Sequence, residues 1–271
     1  MRRTSPAEIY QRIGSNIESD LLSALASVPG CLETFWAAIE PIWDSCLIRR
    51  AAEDLRKKTS RLAAESIRIP EQLDQLASDG YTREDIRQIR YVVEAFYNLE
   101  PVFAVIAAIA QAICTRPPST AVQPVLVECR LSPGPVFAGT IFIPDDAGQL
   151  PQVFPCRHEI DQHPHPIIRA LSNWPDYCQK LYEELNNPAC AVPFAQVTDE
   201  VCASLDAIGD YIVTFLSPSR PRPSFGNDIR AAIYHSAEDS CAAMVLASLL
   251  RRSFIRSEIL GRRRRIITLA G

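Results

Sequence analysis

The sequence predicts an all-α protein built from two similar helical halves. The 271 residues are 47% hydrophobic and 22% charged, which supplies enough apolar side chains for a core. Glycine is scarce, with 10 residues, while alanine and leucine are common, and this balance favours helices over a β-sandwich or a barrel. Apolar residues recur every three or four positions on both sides of a proline-rich middle segment.

Three amphipathic helices are predicted in the first half of the chain. Apolar stripes occupy residues 32–43 and 47–62, with a short break between them. A third stripe begins in residues 86–96, and residues 79–85 predict a turn followed by an N-cap for it. We expect Pro101 to kink or interrupt this helix, because proline lacks the amide proton that a helix interior uses.

The middle of the chain predicts a connector. Residues 117–166 contain ten prolines and no long helical period. Two short runs within it, 125–127 and 140–143, are β-like in composition. The chain is therefore divided into an N-terminal helical repeat at 1–116, this Pro-rich crossover connector, and a C-terminal helical repeat at 167–271.

The two halves repeat the same order of features. Residues 21–30 align with residues 167–176 at an offset of 146, and in both a helix is followed by a proline break and an amphipathic helix. A late apolar helix follows in each half, at 102–113 and at 242–250. Duplicated repeats would bury their apolar faces against each other as a pseudo-dimer. The alternative is two ordinary helix hairpins that share a proline stop.

Composition excludes several classes of function. The net charge of −4 argues against general affinity for nucleic acid, and the four arginines at 262–265 are expected to form a solvated face. The nine cysteines form no CxxC pair, so we expect reduced, buried thiols in a cytoplasmic protein. No signal peptide is expected, and the apolar run at 102–113 is shorter than the roughly 20 residues that span a bilayer. The sequence has no Walker loop, GxGxxG or GxSxG motif.

Three segments carry a family resemblance. Residues 169–177, RALSNWPDY, resemble the RALA-x-WPDYL segment of the group I 2-haloacid dehalogenases, the DehI family. Residues 23–33, SALASVPGCLE, are similar to the first copy of that segment, and residues 244–252, MVLASLLRR, are similar to the C-terminal helix of the family. The resemblance spans most of the chain and is patchy in the connector.

This resemblance implies an all-helical, internally duplicated protein with its site between the two halves. Enzymes of the family hydrolyse the carbon–halogen bond of 2-halocarboxylic acids of both hands. Water attacks the carbon directly in these enzymes, without a covalent ester intermediate and without a metal or cofactor.

Asp176 is the candidate general base. By the resemblance it matches the catalytic aspartate of the family, which would orient and deprotonate the attacking water. The equivalent position of the first half is Gly30, so a duplicated scaffold would carry one such carboxylate per chain. The alternative is a carboxylate in the first turn of a helix that serves only to stabilise the helix dipole.

Asn98 and Glu100 are candidates for the partner of that aspartate. The family pairs its aspartate with an asparagine directly before a proline, whereas here Glu100 precedes Pro101 and Asn98 lies two residues earlier. A glutamate close to Asp176 would repel a carboxylate substrate and raise the pKa of one of the two acids. The alternative is that Asn98 and Glu100 bond the backbone groups that a helix kink frees.

Aromatic side chains are the candidates for an apolar slot that holds the halogen and alkyl group. They are Phe35, Trp36, Tyr97, Trp174, Tyr177 and Tyr234. The last two are favoured because a phenol can also donate a hydrogen bond to a substrate oxygen. The alternative for each of the six is an ordinary position in the core.

Residues 158–165, HEIDQHPH, invite a metal-binding interpretation. The spacing of His163 and His165 around a proline matches no helical ligand pair, so we expect a solvated connector there and no metal.

The sequence therefore predicts a hydrolase that acts at the carbon alpha to a carboxylate, without a cofactor. Its expected partner is a small-molecule carboxylate substrate, with no nucleic acid or membrane, and the chain is compatible with a homodimer. One alternative is the same fold recruited to a biosynthetic reaction on a non-halogenated substrate, which Glu100 favours. Another is a non-catalytic helical binding protein.

Overall fold

The computed structural model describes residues 5–13, 19–116, 141–144, 164–216 and 223–269. Every regular element in these residues is helical, which confirms the all-α prediction. Most of the predicted connector, including the run at 125–127, lies outside the described residues. Residues 141–144 form neither helix nor strand, so the β-like composition of 140–143 does not produce a strand in the part of this run that the structure describes.

Six α-helices form the first part of the described chain. They are Pro6–Ile13 (α1), Asp20–Ser27 (α2), Cys31–Asp44 (α3), Leu47–Ser66 (α4), Gln72–Ser78 (α5) and Arg83–Thr115 (α6). The predicted break between the first two apolar stripes is confirmed, because α3 ends at Asp44 and the backbone of Cys46 turns to a φ of 64°.

The N-terminus of α6 is closed by a capping box, as residues 79–85 predict. The Thr82 backbone N–H donates to Asp85 Oδ2 over 3.0 Å, and the Asp85 N–H donates to Thr82 Oγ1 over 3.1 Å. The helix then continues through Pro101 to Thr115, so the interruption considered from the sequence is wrong. Apolar residues on both sides of Pro101 are buried, and their burial holds the helix together across the missing amide proton.

The remaining helices follow the connector. They are Pro166–Leu171 (α7), Pro175–Asn186 (α8), Pro188–Ile212 (α9), the 3₁₀ turn Val213–Phe215, and Asn227–Leu269 (α10). The first residues of α2 and α7 lie 146 positions apart, which equals the offset of the predicted repeat. The repeat itself stays a prediction.

The chain divides into two compact units, and each is discontinuous in sequence. The first comprises Met1–Lys57, Asn98–Ile141 and Asp199–Cys241. The second comprises Lys58–Tyr97, Phe142–Thr198 and Ala242–Gly271. This grouping draws on both predicted repeats, and the repeat boundaries at 1–116 and 167–271 remain a prediction about sequence similarity.

The core of the first unit is closely packed where α6 and α9 meet. A Cβ atom on Gly209 would lie 2.5 Å from the backbone oxygen of Ala108, so this approach requires glycine. Aromatic residues fill the same unit near α3, where Phe35 packs against Phe225 and Trp36 against Trp43.

The second unit contains α7 packed against α8. The buried side chains of these two helices are mostly aliphatic or aromatic, and they include Ile167, Ile168, Leu171, Tyr177, Leu181 and Leu185. The packing of these side chains holds the first turn of α8 in place.

Helix α6 is long and apolar enough to cross a membrane by length and composition. Of its most apolar window, 83% is buried inside the protein, which is the expected environment of a core helix.

Candidate active site

An open groove of about 550 Å³ lies in the second unit. Its walls come from the α5–α6 turn, the start of α6, the turn before α8 and the first turns of α8. The lining residues are Asp79, Gly80, Tyr81, Asp85, Asn173, Trp174, Pro175, Asp176, Gln179, Lys180 and Glu183. The groove therefore includes the residue that the sequence predicts as general base.

The α5–α6 turn presents Tyr81 to the groove. Gly80 has a φ of 87°, and the N–H of Tyr81 donates to the Leu76 carbonyl over 3.1 Å while the N–H of Gly80 donates to Ala77. This is a Schellman motif, and it requires at position 80 a residue that adopts the left-handed conformation without strain, as glycine does. It fixes the direction in which Asp79 and Tyr81 leave the helix.

Trp174 is held at the rim of the groove by the cap of α6. Its indole Nε1 donates to Asp85 Oδ1 over 3.3 Å, while Oδ2 of the same carboxylate accepts from Thr82. These hydrogen bonds, with that of the Thr82 hydroxyl first, lower the pKa of Asp85. One carboxylate thus caps a helix and orients an aromatic wall of the groove.

Asp176 lies in the first turn of α8, where Pro175 starts the helix with its fixed φ. Its side chain is exposed to the groove. Among the residues that the structure describes, no side chain or N–H donates a hydrogen bond to this carboxylate, and its electrostatic neighbours are Tyr81 and Lys180. The carboxylate is therefore available to a water molecule or a substrate.

Tyr81 lies beside the start of α8. Burial raises the pKa of Tyr81, the nearby backbone N–H of Tyr177 lowers it, and the charge of Asp176 raises it again. The net rise keeps the phenol protonated at neutral pH, so Tyr81 can donate a hydrogen bond.

Lys180 supplies the positive charge of the groove wall. Its Nζ lies 2.7 Å from Asp79 Oδ1, and the hydrogen bond that it donates to Asp79 raises the pKa of Lys180. Against this one ammonium the described lining carries four carboxylates, those of Asp79, Asp85, Asp176 and Glu183. The groove is thus acidic overall, with one basic position.

Three more of the predicted residues lie in the second unit. Trp174 lines the groove with Asp176, while Tyr177 is buried beneath it and its hydroxyl has no partner among the described residues. Burial raises the pKa of Tyr177. Tyr97 is buried away from the groove lining, with its hydroxyl 3.1 Å from Ser60 Oγ and the Arg251 guanidinium 4.4 Å from its ring centre.

The other predicted residues lie in the first unit. Asn98 Oδ1 accepts from Arg56 over 3.3 Å, and Glu100, which is 3% exposed, accepts from Ser240 Oγ over 2.7 Å. Phe35 and Trp36 are buried in the aromatic core, whereas Tyr234 is exposed. The groove of the second unit therefore brings together two of the nine predicted residues, Trp174 and Asp176.

No three metal-ligating side chains cluster within the part of the chain that the structure describes. Of the histidine-rich run at 158–165, residues 158–163 lie outside that part. His165 is buried, and its Nδ1 accepts from the Ile167 N–H over 3.2 Å as a cap of α7.

Sequence reasoning missed Tyr81, Asp79 and Lys180 as groove residues. One local signal was present, because Lys180 follows Asp176 by four residues and so shares its helix face. Nothing in the sequence pattern places the α5–α6 turn beside α8.

Comparison with known proteins shows which proteins this chain is similar to. No protein-family model matches the sequence. An (R)-2-haloacid dehalogenase from Pseudomonas putida is 25% identical over 194 residues, covering 64% of this chain and 61% of that protein. The chain is related to the 2-haloacid dehalogenases. It thus spans less than two thirds of the length of that curated relative.

Solved structures of D-2-haloacid dehalogenases share the fold. A mutant in complex with D-2-CPA superposes with a TM-score of 0.60 at 21% identity, covering 92% of this chain and 91% of the other. A complex with L-LA gives a TM-score of 0.59 at 18% identity, covering 91% and 90%. The helical arrangement of the dehalogenase fold therefore extends over nearly the whole chain.

Proposed function

We propose that this chain hydrolyses the carbon–halogen bond of small 2-halocarboxylic acids. Water attacks the carbon alpha to the carboxylate, its oxygen forms the new bond, and the halide leaves with the bonding electrons. A proton is released, so a 2-haloacid and water give a 2-hydroxyacid, a halide ion and a proton. The relationship to the 2-haloacid dehalogenases supports this reaction class.

The observation that carries the proposal is the Asp176 carboxylate. It lies exposed at the start of α8 on the groove wall, and the described residues donate no hydrogen bond to it. A carboxylate in this state can accept the proton of a water molecule while that water attacks carbon. Such a general base contributes about 10²–10⁴-fold to the rate of a reaction.

The remaining needs of the reaction are an apolar wall and donors for the substrate carboxylate. Trp174 offers an indole face at the groove rim, fixed by its bond to Asp85. The Tyr81 phenol and the first-turn N–H of Asp176 are donors from residues that line the groove. No step of this scheme uses a metal or cofactor.

We also propose that the chain is internally duplicated, as a pseudo-dimer of helical repeats. The equal offset between residues 21–30 and 167–176 and between the starts of α2 and α7 supports this. Gly30 then stands where the second copy has Asp176, which leaves one base per chain.

Halide release is the direct test of the proposed reaction. The protein should release chloride from one or both enantiomers of 2-chloropropionate and not from 3-chloropropionate, whose halogen lies on the next carbon. A single turnover in H₂¹⁸O should place ¹⁸O in the hydroxypropionate product. If neither enantiomer releases chloride, the proposed function is refuted. If the hydroxyl group of the first-turnover product contains ¹⁶O, the reaction passes through an ester intermediate and not through direct attack of water.

A second candidate function has one observation in its favour. The four carboxylates of the groove repel an anionic substrate, so the same fold recruited to a neutral or cationic substrate would suit them. Binding of 2-aminopropionamide in preference to 2-hydroxypropionate would support this alternative over the haloacid.

A further inference from the structure

An acidic groove binds a carboxylic acid best where a positive charge meets the carboxylate. Lys180 meets this condition among the described lining residues, because its ammonium lies on the wall and its side chain is 42% exposed. An ammonium has three donors, and the contact with Asp79 at 2.7 Å uses one of them.

Lys180 is also correctly placed relative to the candidate base. It follows Asp176 by four residues in α8, so the two side chains project from adjacent turns of one helix face, with Cβ atoms about 5–6 Å apart. A short 2-haloacid bound to Lys180 by its carboxylate would hold its alpha carbon close to a water molecule bound by Asp176.

Asp79 shows how a carboxylate approaches this ammonium. It comes from the α5–α6 turn, which the Schellman motif at Gly80 holds in place, and its side chain is 23% exposed on the groove side. A substrate carboxylate at the same ammonium would meet the charge of Asp79 directly.

We propose that Lys180 binds the carboxylate of the substrate and that Asp79 competes with the substrate for this ammonium. The identity of the ligand as a 2-substituted carboxylic acid rests on the proposed function. Lys180 is then a determinant of substrate affinity, and Asp79 weakens the binding of every anionic ligand.

The two residues should have opposite effects on affinity, which separates this role from that of an ordinary surface ion pair. The probe is 2-hydroxypropionate, the product of the proposed reaction, with its uncharged amide for comparison, and dissociation constants are measured by calorimetry. Lys180→Gln should weaken binding of the acid about tenfold, since it removes a charged hydrogen bond. Asp79→Asn should tighten it about threefold, because a competing charge is gone.

Control variants complete the set. Lys180→Arg keeps the charge and should stay within about threefold of the natural protein. Lys57→Gln removes another exposed lysine from an ion pair, with Glu53, and should leave affinity unchanged. Affinity for the amide should be the same in all five proteins.

A purely structural ion pair would give other results. Changes of the same sign in Lys180→Gln and Asp79→Asn, equal changes for acid and amide, or no binding of the acid by the natural protein would each overturn the inference. Acid binding with the expected pattern but without chloride release would uphold the inference and refute the proposed function. Chloride release with a KM that is the same in Lys180→Gln as in the natural protein would uphold the proposed function and refute the inference.

Discussion

Two carboxylates beside prolines have opposite surroundings in the two units. Glu100 precedes Pro101 inside α6, where it is 3% exposed and accepts a hydrogen bond from Ser240. Asp176 follows Pro175 at the start of α8, where it is exposed and no described residue donates to it. The comparison teaches that the packing around a carboxylate, and not the proline beside it, decides whether it is buried, since Val192 before Pro193 inside α9 is 57% exposed.

Gly30 and Asp176 extend this contrast to the backbone. Gly30 precedes α3 with a φ of 79°, a left-handed conformation that disfavours a side chain although nothing lies within 4 Å of an added Cβ. Before α8, the chain instead passes through Trp174 at a φ of −126° and places Asp176 within the helix. At Gly30 the backbone geometry therefore disfavours a side chain that carries a carboxylate.

The largest expected effect tests this contrast by moving the carboxylate. Asp176→Asn should reduce chloride release from 2-chloropropionate by about a thousandfold, since it removes the base and keeps the shape. Adding Gly30→Asp to that variant should restore nothing.

Circular dichroism of both proteins is the control for folding. Undiminished turnover in Asp176→Asn would remove Asp176 from the mechanism, and recovery in the double variant would show that the starts of α3 and α8 are interchangeable as positions for the base.

The next effect concerns the packing of the first unit. Gly209→Ala should destabilise the protein by about 1–3 kcal/mol in urea unfolding, because the new methyl group meets the Ala108 backbone. Gly226→Ala is the matched control, since nothing lies within 4 Å of its added Cβ. Turnover per folded molecule should stay unchanged in both, and equal stability of the two variants would contradict the close approach of α6 and α9.

A smaller effect concerns the α6 cap in the second unit. Asp85→Asn should lower the melting temperature by a few degrees at pH 7. Because the folded-state pKa of Asp85 is lowered, its contribution is present above its unfolded-state pKa and is lost as the pH falls through the folded-state value.

The difference in melting temperature between the two proteins should therefore shrink below about pH 4. Glu84→Gln, which removes a neighbouring carboxylate outside the capping box, is the control and should cost less. A difference that is constant from pH 7 to pH 3 would show that Asp85 acts without its charge.

The smallest effect is expected at Glu100. Glu100→Gln retains an oxygen that accepts from Ser240, so both the melting temperature and the chloride release should change little, with kcat/KM within about threefold. A loss of more than about a hundredfold with the fold intact would assign Glu100 to the chemistry. Glu100 and Asp176 would then both take part in the reaction, and the contrast between them would no longer hold.

Local signals in the sequence predict local structure well here. The capping box of α6 and the break after α3 are confirmed, because each depends on hydrogen bonds between residues three or four apart. The expected interruption at Pro101 is wrong, because burial along α6 outweighs the local preference of one residue. Helix α5 is not predicted, since its seven residues are too short for a clear period.

The groove is harder to predict than the helices. Asp176 and Trp174 are identified from the sequence by their motif, and their place on one wall agrees with their short separation. Tyr81 and Asp79 reach the same groove from a turn far away in the chain, through packing that a periodic pattern does not contain. Most of the predicted aromatic residues lie in buried cores, because aromatic side chains fill cores as readily as binding slots.

The double role of Asp85 links the dynamics of the groove to the end of a helix. One oxygen closes α6 and the other holds the Trp174 indole, so unwinding the first turn of α6 also releases that ring. Amide protons of the first turn of α6 and of residues 173–176 should then exchange with deuterium as a single cooperative unit. Solution conditions that loosen this helix end should consequently also release the Trp174 side chain from its place in the groove lining.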